Sequence, residues 1–305
     1  MSVHAWPLIA FTILAQMSVG MFIVLGIVHY FVVNKFSVAE ADQMSTYALL
    51  AIGPALVLGL LASLIHLGTP YIAFLSVSNL ATSWLSWEIL LGVLFAILGG
   101  IFAIMQWRKI GSFALRNVVA WLAAIDGIGL VYVMSRIYRQ PTIPSWNTTL
   151  TTISFYTTAL LLGVVGVGAA FVAGYAYLKR QNPDCTQELC TVLQQTMRGI
   201  SISAIVLLGV EFVVSPVYLS YLANSSATAS IAASMTGIFS PIFITRLALA
   251  FLGAGLLALV LYRSSLSAER VQVMGYVSYA VFGLVLISEV LGRFLFYASY
   301  ISIGV

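Results

Sequence analysis

The chain has 305 residues, 61% of them hydrophobic and 7% charged, with a mean hydropathy of +1.06. Soluble domains carry about a quarter charged residues, so the composition excludes a pair of soluble domains and points to a polytopic helical membrane protein. The net charge of +4 reflects how basic residues are shared between loops and requires no nucleic-acid partner.

Eight apolar runs lie near 7–33, 45–66, 84–106, 116–137, 152–178, 199–221, 242–262 and 272–297. Each is about 20 residues long, enough to cross a hydrocarbon core. Barrel strands would instead alternate over roughly ten residues. The expected fold is therefore an all-α integral membrane protein with eight transmembrane helices in a single domain over 1–305. Helices 1–4 (about 7–137) and 5–8 (about 152–297) are expected to form two four-helix bundles. The first run follows MSVHAW, with no basic n-region and no small-residue cleavage site, and reads as a retained span.

Basic residues set the orientation. Lys35, Arg108, Lys109, Arg116, Lys179, Arg180, Arg198, Arg263 and Arg270 fall in or beside connections 1–2, 3–4, 5–6 and 7–8. Only Arg136, Arg139, Arg246 and Arg293 fall towards the other side. Nine against four places both termini outside the cytoplasm. Cys185 and Cys190 lie in the cytoplasmic 5–6 connection, where a disulfide is not expected and zinc would lack further ligands. Asn224-Ser225-Ser226 matches a glycosylation sequon, without meaning in a bacterial protein.

Ionisable residues inside spans are costly and default to functional hypotheses. The acids are Glu88, Asp126, Glu211 and Glu289, and most of the intramembrane charge falls in the outer half, with nothing comparable expected in the inner half. In SLIHLGTP, His66 ends span 2 on the outer side. Twenty-one uncharged residues later, Glu88 opens span 3 at the same side. A helix-end histidine is often just a satisfied interfacial residue. Beside a carboxylate at the same depth it becomes a proton-handling candidate, because histidine titrates near neutrality. A hydroquinone loses two electrons and two protons and needs acceptors at both hydroxyls, so these two helix ends are a candidate quinol head-group site.

Asp126, mid-span in AAIDGIG, reads as a hydrogen-bonding residue or a step in a proton path, and Glu211 reads the same way. Arg136, Tyr138 and Arg139 end span 4; they can snorkel to the interface, orient a head group or dock a partner. Glu289 and Arg293 are four residues apart on one helix and are expected to form a structural ion pair or to line a polar pocket. Haem is not expected: of the three histidines, His29 and His66 lie at opposite faces and His4 precedes the first span.

HAWPLIAFTILAQ, HLGTP, the WE pair at the head of span 3, SRIYRQPTIPSW and EVLGRFLFY resemble, in order and spacing, the membrane-anchor subunits of dimethyl sulfoxide reductase (DmsC-type anchors). The resemblance implies an eight-span anchor without haem in a bacterial cytoplasmic membrane. It further implies that the anchor oxidises menaquinol and passes electrons to an iron–sulfur subunit, which feeds a molybdopterin-containing catalytic subunit, both on the non-cytoplasmic side. His66 matches the family's quinol-site histidine and Glu88 its quinol-site glutamate; Tyr71, Arg136, Tyr138 and Arg139 are further quinol-binding candidates. No metal ligands are expected in this chain. The competing classes are an ion-translocating or transporter-type subunit, disfavoured by the one-sided distribution of charge, and a purely structural anchor.

Overall fold

The computed structural model describes residues 5–66, 79–181, 187–264 and 271–303. They form nine α-helices: α1 (Ala5–Lys35), α2 (Val38–His66), α3 (Trp84–Arg108), α4 (Phe113–Tyr138), α5 (Thr149–Gln181), α6 (Gln187–Ala223), α7 (Ala229–Thr236), α8 (Ser240–Ser264) and α9 (Val271–Ala298). All except the short α7 are long and apolar enough to cross a membrane. The chain is thus a multi-pass membrane protein with the expected eight spans.

The helices overrun the expected spans chiefly at the starts of α2 and α6. VAEADQM and QELCTVLQQTMR are polar but contain no helix breaker, so hydrogen bonding carries the helix past its apolar stretch. Ser83 and Ser112 cap α3 and α4, accepting hydrogen bonds from Ser86 N at 3.3 Å and Leu115 N at 3.2 Å. Between these helices the chain reverses through Lys109 (φ 54°) and Gly111 (φ 75°); at the second, the left-handed backbone favours glycine.

Helices α1–α4 form one four-membered ring, in which α1 touches α2 and α4, and α3 completes the circuit. Helices α5, α6, α8 and α9 form a second ring of the same kind. The rings meet mainly through α1 and α5. Burial follows from this placement: 72% of the α1 span and 78% of the α5 span is inside the protein, against 17% for α3 and for α8. At the crossing of α1 and α5, Gly20 faces Gly163; a Cβ on Gly163 would overlap the backbone of Gly20, and a Cβ on Gly20 the carbonyl of Ala159. Lipid provides no hydrophobic drive for helix association, so close backbone packing of this kind has to supply it.

The antiparallel order gathers the starts of α1, α3, α5 and α8 with the ends of α4, α6 and α9 at one end of the molecule, here the amino-terminal face. At the opposite face, a polar cluster that the sequence reading did not anticipate joins α1 to α4. His29 is buried; its Nδ1 lies 2.9 Å from Asn117 Oδ1 and its Nε2 bonds the Ser45 hydroxyl. Asp42 bridges Lys109 at 3.0 Å and Arg116 at 3.1 Å and accepts from Gln106 Nε2 at 2.9 Å. The expectation that the inner half holds nothing comparable is therefore corrected. Arg116 and Lys109 read as topology signals in isolation, and only the approach of α2 gives them a shared carboxylate.

Candidate functional site

Glu88 lies just past the first turn of α3, where the dipole of the helix start has largely faded, so its neighbours decide its environment. The side chain is partly buried, and no described residue gives it a hydrogen bond or an ion pair. The entry of the chain into α3 is held by Trp87, whose indole N–H donates to Leu80 O at 2.9 Å. Glu88 acts electrostatically on Tyr138, at the end of α4, and on Tyr297, at the end of α9. These two hydroxyls are hydrogen-bonded at 2.7 Å. Arg293, one turn before Tyr297, acts on both tyrosines with the opposite sign.

Two sequence candidates, Glu88 and Tyr138, thus meet in one electrostatic neighbourhood, and Arg293 joins them. Arg136 instead lies over the ring of Trp84, 5.1 Å from its centroid, and Trp84 packs edge-on against Tyr132 at 6.2 Å. This cation–π contact keeps the guanidinium at the rim of α3. Arg139 reaches α5 only through a long 3.4 Å contact to the Thr152 hydroxyl. The side chain of His66 and all of Tyr71 lie outside the described residues.

Tyr297 was missed by sequence reasoning, and so was the role of the segment after α4. Trp146 stacks on Phe296 at 5.1 Å and donates through Nε1 to Phe296 O at 2.8 Å. Tyr218 donates to Ser145 O at 3.0 Å and Tyr221 to Pro144 O at 2.8 Å. Residues 142–146 therefore pin the two rings together beside Tyr138. The aromatic content of PTIPSW was the available signal, but its partners lie more than seventy residues away.

The expected ion pair between Glu289 and Arg293 does not form. Arg293 donates to Gln16 Oε1 on α1 at 2.7 Å, with its guanidinium 3.9 Å from the centre of the Phe155 ring. Glu289 accepts from the Thr158 hydroxyl at 2.6 Å. The arginine–carboxylate bridge in this region joins Arg246 of α8 to Glu211 of α6. Spacing of four residues put Glu289 and Arg293 on one face, but polar groups from α1 and α5 intercept each of them. Glu211, Arg246, Glu289 and Arg293 line a cavity of about 90 Å³ between α5, α6, α8 and α9. Asp126 stands apart on α4, and its Oδ2 finds no hydrogen-bond partner among the described residues.

What the arrangement can do follows from these contacts. A carboxylate without a fixed donor, on a helix with only 17% of its span buried, can exchange a proton with a ligand arriving from lipid. The paired tyrosine hydroxyls within its electrostatic reach offer a donor and an acceptor in a largely aromatic wall.

The model of the DMSO reductase anchor subunit (DmsC) family matches residues 1–299. The protein is 30% identical over 300 residues to the C subunit of anaerobic dimethyl sulfoxide reductase from Haemophilus influenzae, covering 98% of this sequence and 95% of that one. It is 28% identical over 307 residues to the YnfH subunit of anaerobic dimethyl sulfoxide reductase from Escherichia coli, covering 99% and 96%. Over 178 residues it is 33% identical to the C subunit of anaerobic dimethyl sulfoxide reductase from Escherichia coli, covering 57% and 61%. Eight membrane-crossing helices and a family match running from the first of them into the last make one conclusion plain: the chain belongs to the DMSO reductase anchor subunit (DmsC) family.

Proposed function

We propose that the chain anchors a dimethyl sulfoxide reductase-type complex in a bacterial cytoplasmic membrane, where it oxidises menaquinol during anaerobic respiration. The amino-terminal face lies outside the cytoplasm in this reading. There it docks an iron–sulfur subunit that passes electrons to a molybdopterin-containing catalytic subunit. The observation that carries the reading is Glu88: a carboxylate at a lipid-facing helix start, without a hydrogen-bond donor among the described residues, within electrostatic reach of the Tyr138–Tyr297 hydroxyl pair. A structural carboxylate at that depth would be expected to have a partner, because an unpaired buried charge is expensive.

The residues suit a quinol head group. Bound menaquinol supplies two electrons and two protons. Glu88 accepts one hydroxyl proton, and His66, at the end of α2, is the proposed second acceptor. Tyr138 orients the head group through its hydroxyl, and Tyr297 fixes that hydroxyl's direction. Arg293 stabilises negative charge in the same neighbourhood. Arg136 on Trp84 shapes the rim, and Arg139 and Tyr71 complete the proposed quinol-binding set. Electrons leave towards the iron–sulfur subunit and protons towards the amino-terminal face.

The test is titration of a menaquinol analogue against the lipid-reconstituted complex, comparing the parent with Glu88→Gln. A hydrogen bond to a charged group contributes about 1.5–3 kcal/mol, so the variant should bind roughly 10- to 100-fold more weakly. Equal affinity in both would remove Glu88 from the site.

A further inference from the structure

The cavity of the second ring shares Arg293 with the quinol reading, but its carboxylates have no part in that reading. It is closed in by groups from every helix around it: Thr158 of α5, Glu211 and Tyr218 of α6, Arg246 of α8, and Glu289 and Arg293 of α9. Arg293 also takes Gln16 of α1. A volume of about 90 Å³ holds several waters, since each needs roughly 10–15 Å³ measured in this way. We propose that Glu211 and Glu289 form a proton-binding site in this cavity, sharing one proton between their carboxylates and exchanging it with cavity water.

Hydrogen bonding points there first. Arg246 bonds Glu211 Oε1, and Thr158 bonds Glu289 Oε2. The remaining oxygens, Glu211 Oε2 and Glu289 Oε1, are buried without a donor among the described residues. Both oxygens belong to side chains that line the same cavity and act on the same guanidinium, Arg246. Ionised carboxylates only accept, so neither can serve the other until a proton is added, and one proton shared between them gives both orphan oxygens a partner.

Charge balance points the same way. The carboxylate pair, Glu211 and Glu289, has Arg246 as its bonded cation, because Arg293 is engaged by Gln16 and the Phe155 ring. With every group ionised this set of two acids and Arg246 carries one excess negative charge, and an uncompensated charge in this medium is costly. A single bound proton makes the set neutral. The balance of the step is simple: a hydronium ion gives its proton to the pair and leaves as water, with no electron transferred. The proposal uses no quinol and stands or falls independently of Glu88 binding one.

Infrared absorption of the full chain in lipid at neutral pH, compared in H₂O and D₂O, reads the C=O stretch of a protonated carboxyl group. The parent should show this band. Glu289→Gln and Glu211→Gln should each lose it, and Glu88→Gln should keep it. Thr158→Val retains both carboxylates and should move the band without removing it, which keeps the test open if a glutamine variant does not fold. The proposal is overturned if the parent has no such band, if both glutamine variants keep it, if only one of them loses it, if Glu88→Gln abolishes it, or if Thr158→Val leaves its position unchanged.

Discussion

Removing Arg246 should destabilise the protein more than removing the charge of its partner Glu211. Arg246 serves two carboxylates: it is bonded to Glu211 and attracted by Glu289. Arg246→Met leaves both acids in a buried ring with no bonded cation. Stripping one partner from a buried ion pair costs about 3–5 kcal/mol. Glu211→Gln keeps the shape of the side chain and leaves Glu289 beside Arg246. That change forfeits mainly one charge-assisted hydrogen bond, about 1.5–3 kcal/mol. The expected order is therefore Arg246→Met well below Glu211→Gln, and Glu211→Gln below the parent. Reversible unfolding in mixed dodecyl-sulfate micelles, followed by the fluorescence of the six tryptophans, measures the difference by linear extrapolation. Equal losses, or a larger loss for Glu211→Gln, would refute the view that both acids depend on Arg246.

Three other outcomes are expected. Gly163→Leu should weaken the junction of the rings, because the added side chain meets the backbone of α1 at Gly20; overpacking of this kind costs about 1–3 kcal/mol, and the same unfolding assay reads it. Tyr138→Phe keeps the ring packing but deletes the bond to Tyr297, so stability should fall by only about 0.5–1.5 kcal/mol while affinity for a menaquinol analogue also drops; unchanged affinity would show that the hydroxyl does not face the ligand. Trp146→Ala should cost about 3–5 kcal/mol and release residues 142–146 from the end of α9, making that segment more open to protease than in the parent.

Hydropathy is a local property, and that explains which features were legible. Each span reveals itself by its own length and composition, so the eight membrane helices could be counted from the sequence alone, and their ends were placed closely except where polar turns prolong α2 and α6. The concentration of Glu88, Glu211, Arg246, Glu289 and Arg293 at one face followed from the alternating direction of successive spans. The motifs around HLGTP, SRIYRQPTIPSW and EVLGRFLFY carried the family.

Pairing is a different matter, because partners are chosen by helices far apart in the chain. Arg293 is four residues from Glu289 yet bonds Gln16, 277 positions away. Glu211 takes Arg246 only because α6 and α8 are neighbours in the second ring. His29, weighed in the sequence only as a haem ligand, is buried between Ser45 and Asn117 by the packing of α1, α2 and α4. Nor does composition distinguish α1 and α5, at the centre, from α3, at the lipid boundary, since lipid and protein interior are equally apolar surroundings. Sequence alone determined how many helices cross, in which order, and to which end their charges go. Only the tertiary structure decided which charges meet, because a helix presents several polar groups at one depth and the neighbour that packs against it selects among them.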